Sequence, residues 1–156
     1  MNQKDIILTT FNARYSHSSF ALRYIYANLH EYQEKTKILE FVIKTDIETT
    51  AEKILNFKPK LVGISTYIWN ANEVSHLIKI IKKVSPQTII FLGGPEVSYE
   101  PFRVDLDMAD FIIKGEGEVS VYELIKNFYT NTLPKHKIIP PQMVDLKTIK
   151  LPYEYY

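Results

Sequence analysis

The sequence predicts an α/β fold of three layers, in which a parallel sheet lies between two layers of helices. Three observations support this prediction. Strand-like segments alternate with segments that carry apolar residues at helical spacing, which is the pattern of a parallel sheet with crossover helices. The strand-like segments are rich in Ile, Val and Leu without alternating polar residues, as expected when both faces of a sheet are covered. The 156 residues, 46% of them hydrophobic, suffice for one packed domain.

Five segments have the composition of strands. Because the crossover connections between parallel strands are right-handed, few strand orders are open to them. Five strands within about 130 residues fit the flavodoxin-like, or Rossmann-like, order 2-1-3-4-5. The predicted strands are 6–8, 38–43, 61–65, 88–92 and 111–113.

The intervening segments carry signals for helix starts and helical periodicity. Ser18 or Ser19 is the predicted N-cap of the first helix, and Asp46 that of the second. The clearest helix begins at Asn70 or Asn72 and ends before a proline. It carries five apolar residues at helical spacing, which are Val74, Leu77, Ile78, Ile81 and Val84. A last helix follows the fifth strand.

The character of the chain changes at Asn131. From there on, prolines interrupt a segment whose apolar residues have no period. We therefore predict a globular domain over residues 1–130. Residues 131–156 are predicted to be a proline-rich linker that docks on this domain and leads towards another one. A disordered C-terminus is the alternative.

Composition excludes several function classes. The chain has no cysteine, which excludes disulfides, thiolate zinc sites, iron–sulfur ligation and thiol nucleophiles within it. The four histidines lack metal-ligand spacing, and we predict neither a metal site nor a catalytic residue. A net charge of +1 argues against a nucleic-acid surface. Without a signal peptide or an apolar run of about 20 residues, we expect a cytoplasmic protein without membrane contact.

Four polar or glycine-rich loops follow the predicted strands, at residues 12–17, 65–70, 93–99 and 115–118. Ligands of open parallel sheets bind at the carboxyl ends of the strands, and we expect these loops to converge into one slot there. The paired glycines Gly93 and Gly94 would let a flat ligand approach closely because no Cβ intervenes. For Glu118 we prefer a role in helix initiation.

Taken together, these loops resemble those of a known family. The segments 62–67, 89–96 and 109–118 are similar to the N-terminal cobalamin (B12)-binding domains of B12-dependent radical S-adenosylmethionine (SAM) enzymes. Residues 12–19 resemble a subgroup of that family. The resemblance covers roughly residues 5–130, so that residues 1–130 are interpreted as a cobalamin-binding-like domain.

The resemblance implies a set of cofactor contacts. Ser65 matches a serine that bonds to the benzimidazole of the nucleotide tail, and Gly93 and Gly94 match glycines against which the tail packs. Because Asp-x-His-x-x-Gly is absent, we expect base-off cobalamin without a histidine ligand, with Tyr15 the candidate near the lower cobalt face. The implied contacts are Asn12, Arg14, Tyr15, Ser16, His17, Ser65, Thr66, Tyr67, Gly93, Gly94, Pro95, Glu96, Gly115, Glu116 and Gly117.

The resemblance also implies a partner. SAM and a [4Fe–4S] cluster would belong to a C-terminal radical SAM domain outside this chain, against which the present domain would position cobalamin for methyl transfer or radical chemistry. Since that domain would cover part of the cofactor, we expect weak binding or an empty site in these 156 residues alone.

Other binding functions fit the residues less well. A flavin binder needs a glycine-containing phosphate loop after the first strand, and residues 9–16 contain no glycine. A receiver domain needs an aspartate where Ser65 stands. A dinucleotide-binding domain needs G-x-G-x-x-G, which residues 115–117 match only in part and after the last strand. The remaining alternative is a degenerate interaction module that kept the fold and lost the cofactor.

Overall fold

The computed structural model describes residues 3–14, 18–98, 105–142 and 149–155. The strands of this part of the chain form a six-stranded sheet in which every neighbouring pair is parallel. They are β1 (Ile6–Asn12), β2 (Thr36–Val42), β3 (Leu61–Ser65), β4 (Ile89–Gly93), β5 (Phe111–Ile113) and β6 (Ile138–Ile139). The strand order is β2-β1-β3-β4-β5-β6. The predicted order of the first five strands is confirmed, and β6 is an addition that the sequence analysis did not predict.

Helices connect the strands and cover both faces of the sheet. They are α1 (Phe20–Ala27), α2 (Ile47–Leu55), α3 (Ala71–Val84), α4 (Pro95–Ser98) and α5 (Glu118–Tyr129), with short 3₁₀-helices at His30–Lys35 and Tyr153–Tyr155. None of the helices in the described ranges is long and apolar enough to cross a membrane. Helix α4 was predicted only as a loop. It begins at a proline, whose fixed φ suits the first turn of a helix.

Alternating residues of each central strand enter two different cores. Ile7 of β1 packs in a core with residues of α2 and α3, whereas Ile6 and Leu8 pack in a second core with residues of α1 and α5. All three are at most 1% exposed. Because successive side chains of a strand point to opposite faces, a strand covered on both sides must be apolar throughout. The predicted three-layer architecture is therefore confirmed.

Two of the predicted helix caps form as expected. Ser19 Oγ accepts from the backbone N–H of Leu22 at 3.1 Å, and Asp46 Oδ2 accepts from that of Thr49 at 2.9 Å. Asn70 also stands at a helix N-cap, but its side chain makes no bond to the first turn of α3. It bonds instead to the ends of other segments, as described below.

Residues after 130 pack against the rest of the domain. Strand β6 pairs with β5, with Ile112 opposite Ile138. Farther on, residues 149–155 lie along α1, where Asn28 exchanges two hydrogen bonds of 2.9 Å with the backbone of Lys150. Arg23 Nε donates to the carbonyl of Tyr155 at 3.1 Å. This segment therefore covers the outer side of α1.

Candidate functional site

A cavity of about 340 Å³ opens at the carboxyl edge of the sheet, between α1 and α5. Small-molecule sites typically have volumes of about 300–1,000 Å³, with mostly apolar walls and a few polar groups. Here the apolar residues form the floor and the helix walls, namely Leu8, Gly63 and Phe91 of the sheet, Leu22 and Ile25 of α1, and Val121 of α5. The cavity has the size and the character of a ligand site.

The floor of the cavity depends on a glycine in the middle of β3. A Cβ on Gly63 would collide with the ring of Phe91 and would lie 3.1 Å from Leu8. The missing side chain therefore gives the Phe91 ring room to lie across the neighbouring strand, where it closes the bottom of the cavity. The sequence analysis placed Gly63 in a strand and in the segment 62–67 that carries the family resemblance, and predicted no role for it in the site.

Three of the four predicted loops meet at this cavity. The last residues of β3 and β4, Ser65 and Gly93, are register partners, so that the two loops leave the sheet side by side. The loop after β5 completes the rim. The predicted site residues that line the cavity are Ser65, Tyr67, Gly93, Gly94, Pro95, Gly115, Glu116 and Gly117.

The two adjacent glycines have different surroundings. A Cβ on Gly93 would meet nothing within 4 Å, so this position borders open space. Gly94 has a φ of 103°, and a Cβ there would lie 2.5 Å from the carbonyl oxygen of Thr66. Only glycine adopts such a backbone conformation readily. Gly94 therefore brings the loops after β3 and β4 into contact, whereas Gly93 leaves cavity volume free.

In the loops after β3 and β4, two predicted site residues lie outside the lining of this cavity. Thr66 is fully buried, and its backbone N–H donates to the carbonyl of Gly93 at 2.8 Å. Glu96 is 7% exposed, and its N–H donates to the carbonyl of Thr66 at 3.2 Å. Their backbones connect the two loops behind the rim.

Asn70 fixes the loop after β3 against the end of β1. It is completely buried, and its Oδ1 accepts from the N–H of Tyr67 at 2.8 Å. Its Nδ2 donates to the carbonyl of Phe11 at 3.1 Å and to Thr10 Oγ1 at 3.2 Å. Thr10 Oγ1 in turn donates to the carbonyl of Ser65 at 2.7 Å. This buried network fixes the position of the carboxyl end of β3 at the cavity.

The described part of the first loop lies apart from the main cavity. Asn12 and Arg14 line a separate depression beside β2, together with Glu40 and Lys53. Asn12 Nδ2 donates to Glu40 Oε1 at 3.0 Å, which directs this side chain towards β2. The predicted convergence of all four loops is therefore not seen for these two residues. Tyr15, Ser16 and His17 lie outside the described residues, and their roles stay predictions.

Glu40 anchors this region through several partners. It forms an ion pair of 2.7 Å with Arg23 and accepts from the backbone N–H of Ser19. Burial acts to raise the pKa of Glu40, but the hydrogen bonds from Arg23, Asn12 and Ser19 and the charge of Arg23 outweigh it, so that the pKa lies below its ordinary value of 4.5. Glu40 therefore ties the end of β1 and the start of α1 to β2.

Sequence reasoning missed the helix residues that wall the cavity. Phe20 and Tyr24 of α1 belong to the lining, as does Glu118 at the start of α5. The apolar periodicity of α1 gave no hint, because core residues and cavity residues share the same helix face. The interpretation of Glu118 as the start of a helix is consistent with α5, but its side chain also reaches the cavity.

The aromatic side chains after β3 form a stacked pair at the rim. The rings of Tyr67 and Trp69 are 4.4 Å apart with an interplanar angle of 4°. Trp69 Nε1 donates to the carbonyl of Phe11 at 3.3 Å, although the residue is 47% exposed. The single tryptophan is thus both anchored and half exposed.

Among the described residues, no group of three or more His, Asp or Glu side chains is placed to hold a metal ion.

A sequence profile described as the B12 binding domain matches residues 6–125 of the chain. Four curated relatives have detectable local similarity, and three of them illustrate its extent. The cobalamin-dependent radical SAM methyltransferase TokK of Streptomyces tokunonensis is 31% identical over 70 residues, which is 44% of this chain and 10% of that protein.

Two further relatives are methyltransferases by name. The 2-(S-pantetheinyl)-carbapenam-3-carboxylate methyltransferase of Streptantibioticus cattleyicolor is 29% identical over 69 residues, or 43% of this chain and 10% of that protein. The cytidylyl-2-hydroxyethylphosphonate methyltransferase of Streptomyces wedmorensis is 36% identical over 66 residues, or 41% of this chain and 12% of that protein. The matches therefore span only a small part of these longer proteins.

Proposed function

Because this chain belongs to the family of B12-binding domains, we propose that its cavity receives the nucleotide arm of base-off cobalamin. The corrin ring would lie across the carboxyl edge of the sheet, outside the cavity. A volume of about 340 Å³ suits the arm and is too small for a whole corrinoid. The domain would bind and orient the cofactor and would contribute no catalytic residue.

The observation that carries this proposal is the open space beside Gly93. Three strand-end loops frame a largely apolar cavity, and the Cβ position of Gly93 faces its empty volume with no atom within 4 Å. A flat aromatic base needs an apolar slot from which side chains are absent. The residues present therefore fit the group that the family implies.

Individual residues have distinct proposed roles. Ser65 would bond through its hydroxyl to the benzimidazole of the arm, since it ends β3 at the cavity wall and its carbonyl is held by Thr10. The aromatic ring of Tyr67 and the backbones of Gly115 and Gly117 would border the same channel. Asn12 and Arg14 would have at most a peripheral role, because they line the depression beside β2.

The chemistry of a whole protein would need more than this chain. The radical SAM domain proposed to follow residues 131–156 would hold SAM and the [4Fe–4S] cluster, and the relative TokK is a radical SAM methyltransferase by name. Cobalamin, when bound, supplies methyl transfer or radical chemistry. The contribution of this domain is to hold the cofactor in one orientation and to keep water out of the slot.

A binding experiment tests the proposal. Hydroxocobalamin is mixed with the purified chain, and with the full-length protein, and the corrinoid absorbance is followed through gel filtration and equilibrium dialysis. We expect retention, weaker for the chain than for the longer protein. Gly93→Leu should weaken retention strongly because the new side chain occupies the slot. Absence of retention in both proteins would favour the alternative of an interaction module that has lost the cofactor.

A further inference from the structure

One carboxyl oxygen in the cavity is buried without a hydrogen-bond partner among the described residues. Glu118 lines the cavity at the first position of α5 and is only 6% exposed. Its Oε2 atom is buried, and within the described ranges it has no hydrogen-bond partner. Placing a polar atom in such a position costs free energy unless something binds it.

The surroundings of Glu118 oppose a negative charge. Burial raises the pKa of Glu118 above its ordinary value of 4.5, its own backbone N–H lowers it in part, and the nearby charge of Glu116 raises it again. From α1, the hydroxyl of Tyr24 faces the same region, and its pKa is raised first by burial and then by Glu118 and Glu116. None of the ion pairs of the described residues includes Glu118.

The start of α5 supplies the second half of the site. The N-cap residue is Gly117, which has no side chain to bond to the N–H groups of the first turn. Such N–H groups attract oxygen acceptors and anions. A charged carboxylate beside them would repel an anionic ligand oxygen, whereas a protonated carboxyl would add a further donor.

We propose that Glu118 is a ligand-recognition residue that binds in its protonated form, donating its O–H to an oxygen acceptor of the nucleotide arm. This inference rests on the proposed function. The proton comes from solvent, so that a chain in which Glu118 is ionised takes up one proton as the ligand binds. Affinity should then fall as the pH rises above the pKa of the carboxyl group.

Titration with methylcobalamin in the dark tests this role, because its upper ligand does not titrate between about pH 5 and 8. We expect the wild-type dissociation constant to rise with pH across this range. Glu118→Gln keeps a donor without a titrating proton, and its affinity should match that of the wild type at low pH and stay constant. Glu118→Ala should bind about tenfold more weakly at low pH, the loss of one hydrogen bond. Glu123→Gln, the same change on α5 outside the cavity lining, should behave as the wild type does.

The possible results separate the two proposals. If the wild type binds but Glu118→Gln loses as much affinity as Glu118→Ala, or keeps the wild-type pH dependence, the role of Glu118 is overturned while the proposed function stands. If neither the wild-type chain nor the full-length protein binds methylcobalamin at any pH, both proposals fail.

A measurement without ligand checks the premise. Because the folded-state pKa of Glu118 is raised, its contribution to stability is complete below the unfolded value and is lost as the pH rises through the folded value. Glu118→Gln should therefore be more stable than the wild type at neutral pH, with the difference vanishing in acid. A Gln variant that is less stable at neutral pH would contradict the inference.

Discussion

The backbones of Thr66 and Gly94 lie in direct contact, so that a Cβ on Gly94 would stand 2.5 Å from the carbonyl oxygen and 2.8 Å from the nitrogen of Thr66. This contact joins the loops after β3 and β4 at the rim of the cavity. Its neighbour Gly93 makes no such contact. The two glycines are thus structurally unlike, and their substitutions should have separable effects.

Substitutions of Gly94 should act on stability. Gly94→Ala places a side chain at a positive φ and against the Thr66 backbone, and we expect a loss of about 1–3 kcal/mol in the free energy of unfolding. Gly93→Ala should change that free energy by less than about 1 kcal/mol. Denaturant unfolding of both variants measures the contrast. Equal losses at the two positions would contradict the different roles assigned to them.

Substitutions of Gly93 should act on ligand binding in order of size. Gly93→Ala removes part of the open space and should weaken corrinoid binding mildly, whereas Gly93→Leu should weaken it by more than about tenfold, or 1.4 kcal/mol. Equilibrium dialysis with hydroxocobalamin gives the affinities, and circular dichroism shows that the fold is kept. An affinity that is independent of side-chain size would place the ligand elsewhere.

The buried side chain of Asn70 should stabilise the domain strongly. Asn70→Ala leaves the N–H of Tyr67 without its present partner and removes one of the two donors to the carbonyl of Phe11, which keeps its bond from Trp69. We expect a loss of about 1–3 kcal/mol in the free energy of unfolding. Asn72→Ala is the matched control. Because Asn72 is exposed on α3, this substitution should change the free energy of unfolding by no more than about 0.5 kcal/mol. Thermal and denaturant unfolding of the two variants checks the prediction. Similar losses of stability in both variants would refute it.

Glu40 should make stability depend on pH in the acid range. Its folded-state pKa is lowered, so its contribution is complete above the ordinary value of 4.5 and is lost as the pH falls through the folded value. Glu40→Gln should cost about 1–3 kcal/mol at neutral pH, and the difference from the wild type should shrink in acid. Glu52→Gln, an exposed change on α2, is the control. A difference in stability between the wild type and Glu40→Gln that grows in acid would contradict the prediction.

Asn28 should hold residues 149–155 on α1. It is 5% exposed and makes hydrogen bonds to Lys150 in both directions. Asn28→Ala should release this segment, and we expect faster hydrogen exchange at the Lys150 amide and earlier proteolytic cleavage near it. Asn72→Ala again serves as the control. Unchanged exchange would show that the aromatic contacts of Tyr153 and Tyr155, together with the hydrogen bond from Arg23 to the carbonyl of Tyr155, suffice to hold the segment.

Much of the fold could be predicted from local patterns. The uninterrupted apolar runs of the central strands indicated a sheet covered on both faces. Asp46 was correctly predicted as a helix cap, and of the two candidates Ser18 and Ser19 the cap is Ser19. Strand β6 was missed because two residues, Ile138 and Ile139, carry too little pattern to be recognised. It exists because the edge of β5 offers its backbone groups to them.

The candidate site was predicted less completely. Of the four loops expected to converge at the carboxyl ends of the strands, the three after β3, β4 and β5 do meet at one cavity. The placement of Asn12 was not foreseen, because it depends on a hydrogen bond to Glu40, which is 28 residues away in the chain. Glu118 was read only as a helix start, since its burial depends on packing that its own segment does not encode.

The sequence by itself determined the order of the central strands and the edge at which a ligand would bind, because periodicity and crossover handedness act over short stretches of chain. Only the tertiary structure decided which residues share the cavity. Gly93 and Gly94 are the same residue type, and the sequence alone does not show that they have different roles. In the same way, the sequence does not distinguish Leu22, which lines the cavity, from a residue of the core. Gly94 differs from Gly93 because the backbone of Thr66 contacts it, and Leu22 lines a cavity because α5 packs beside α1. Both contacts join segments that are distant in the sequence, and they form only when the whole domain is packed.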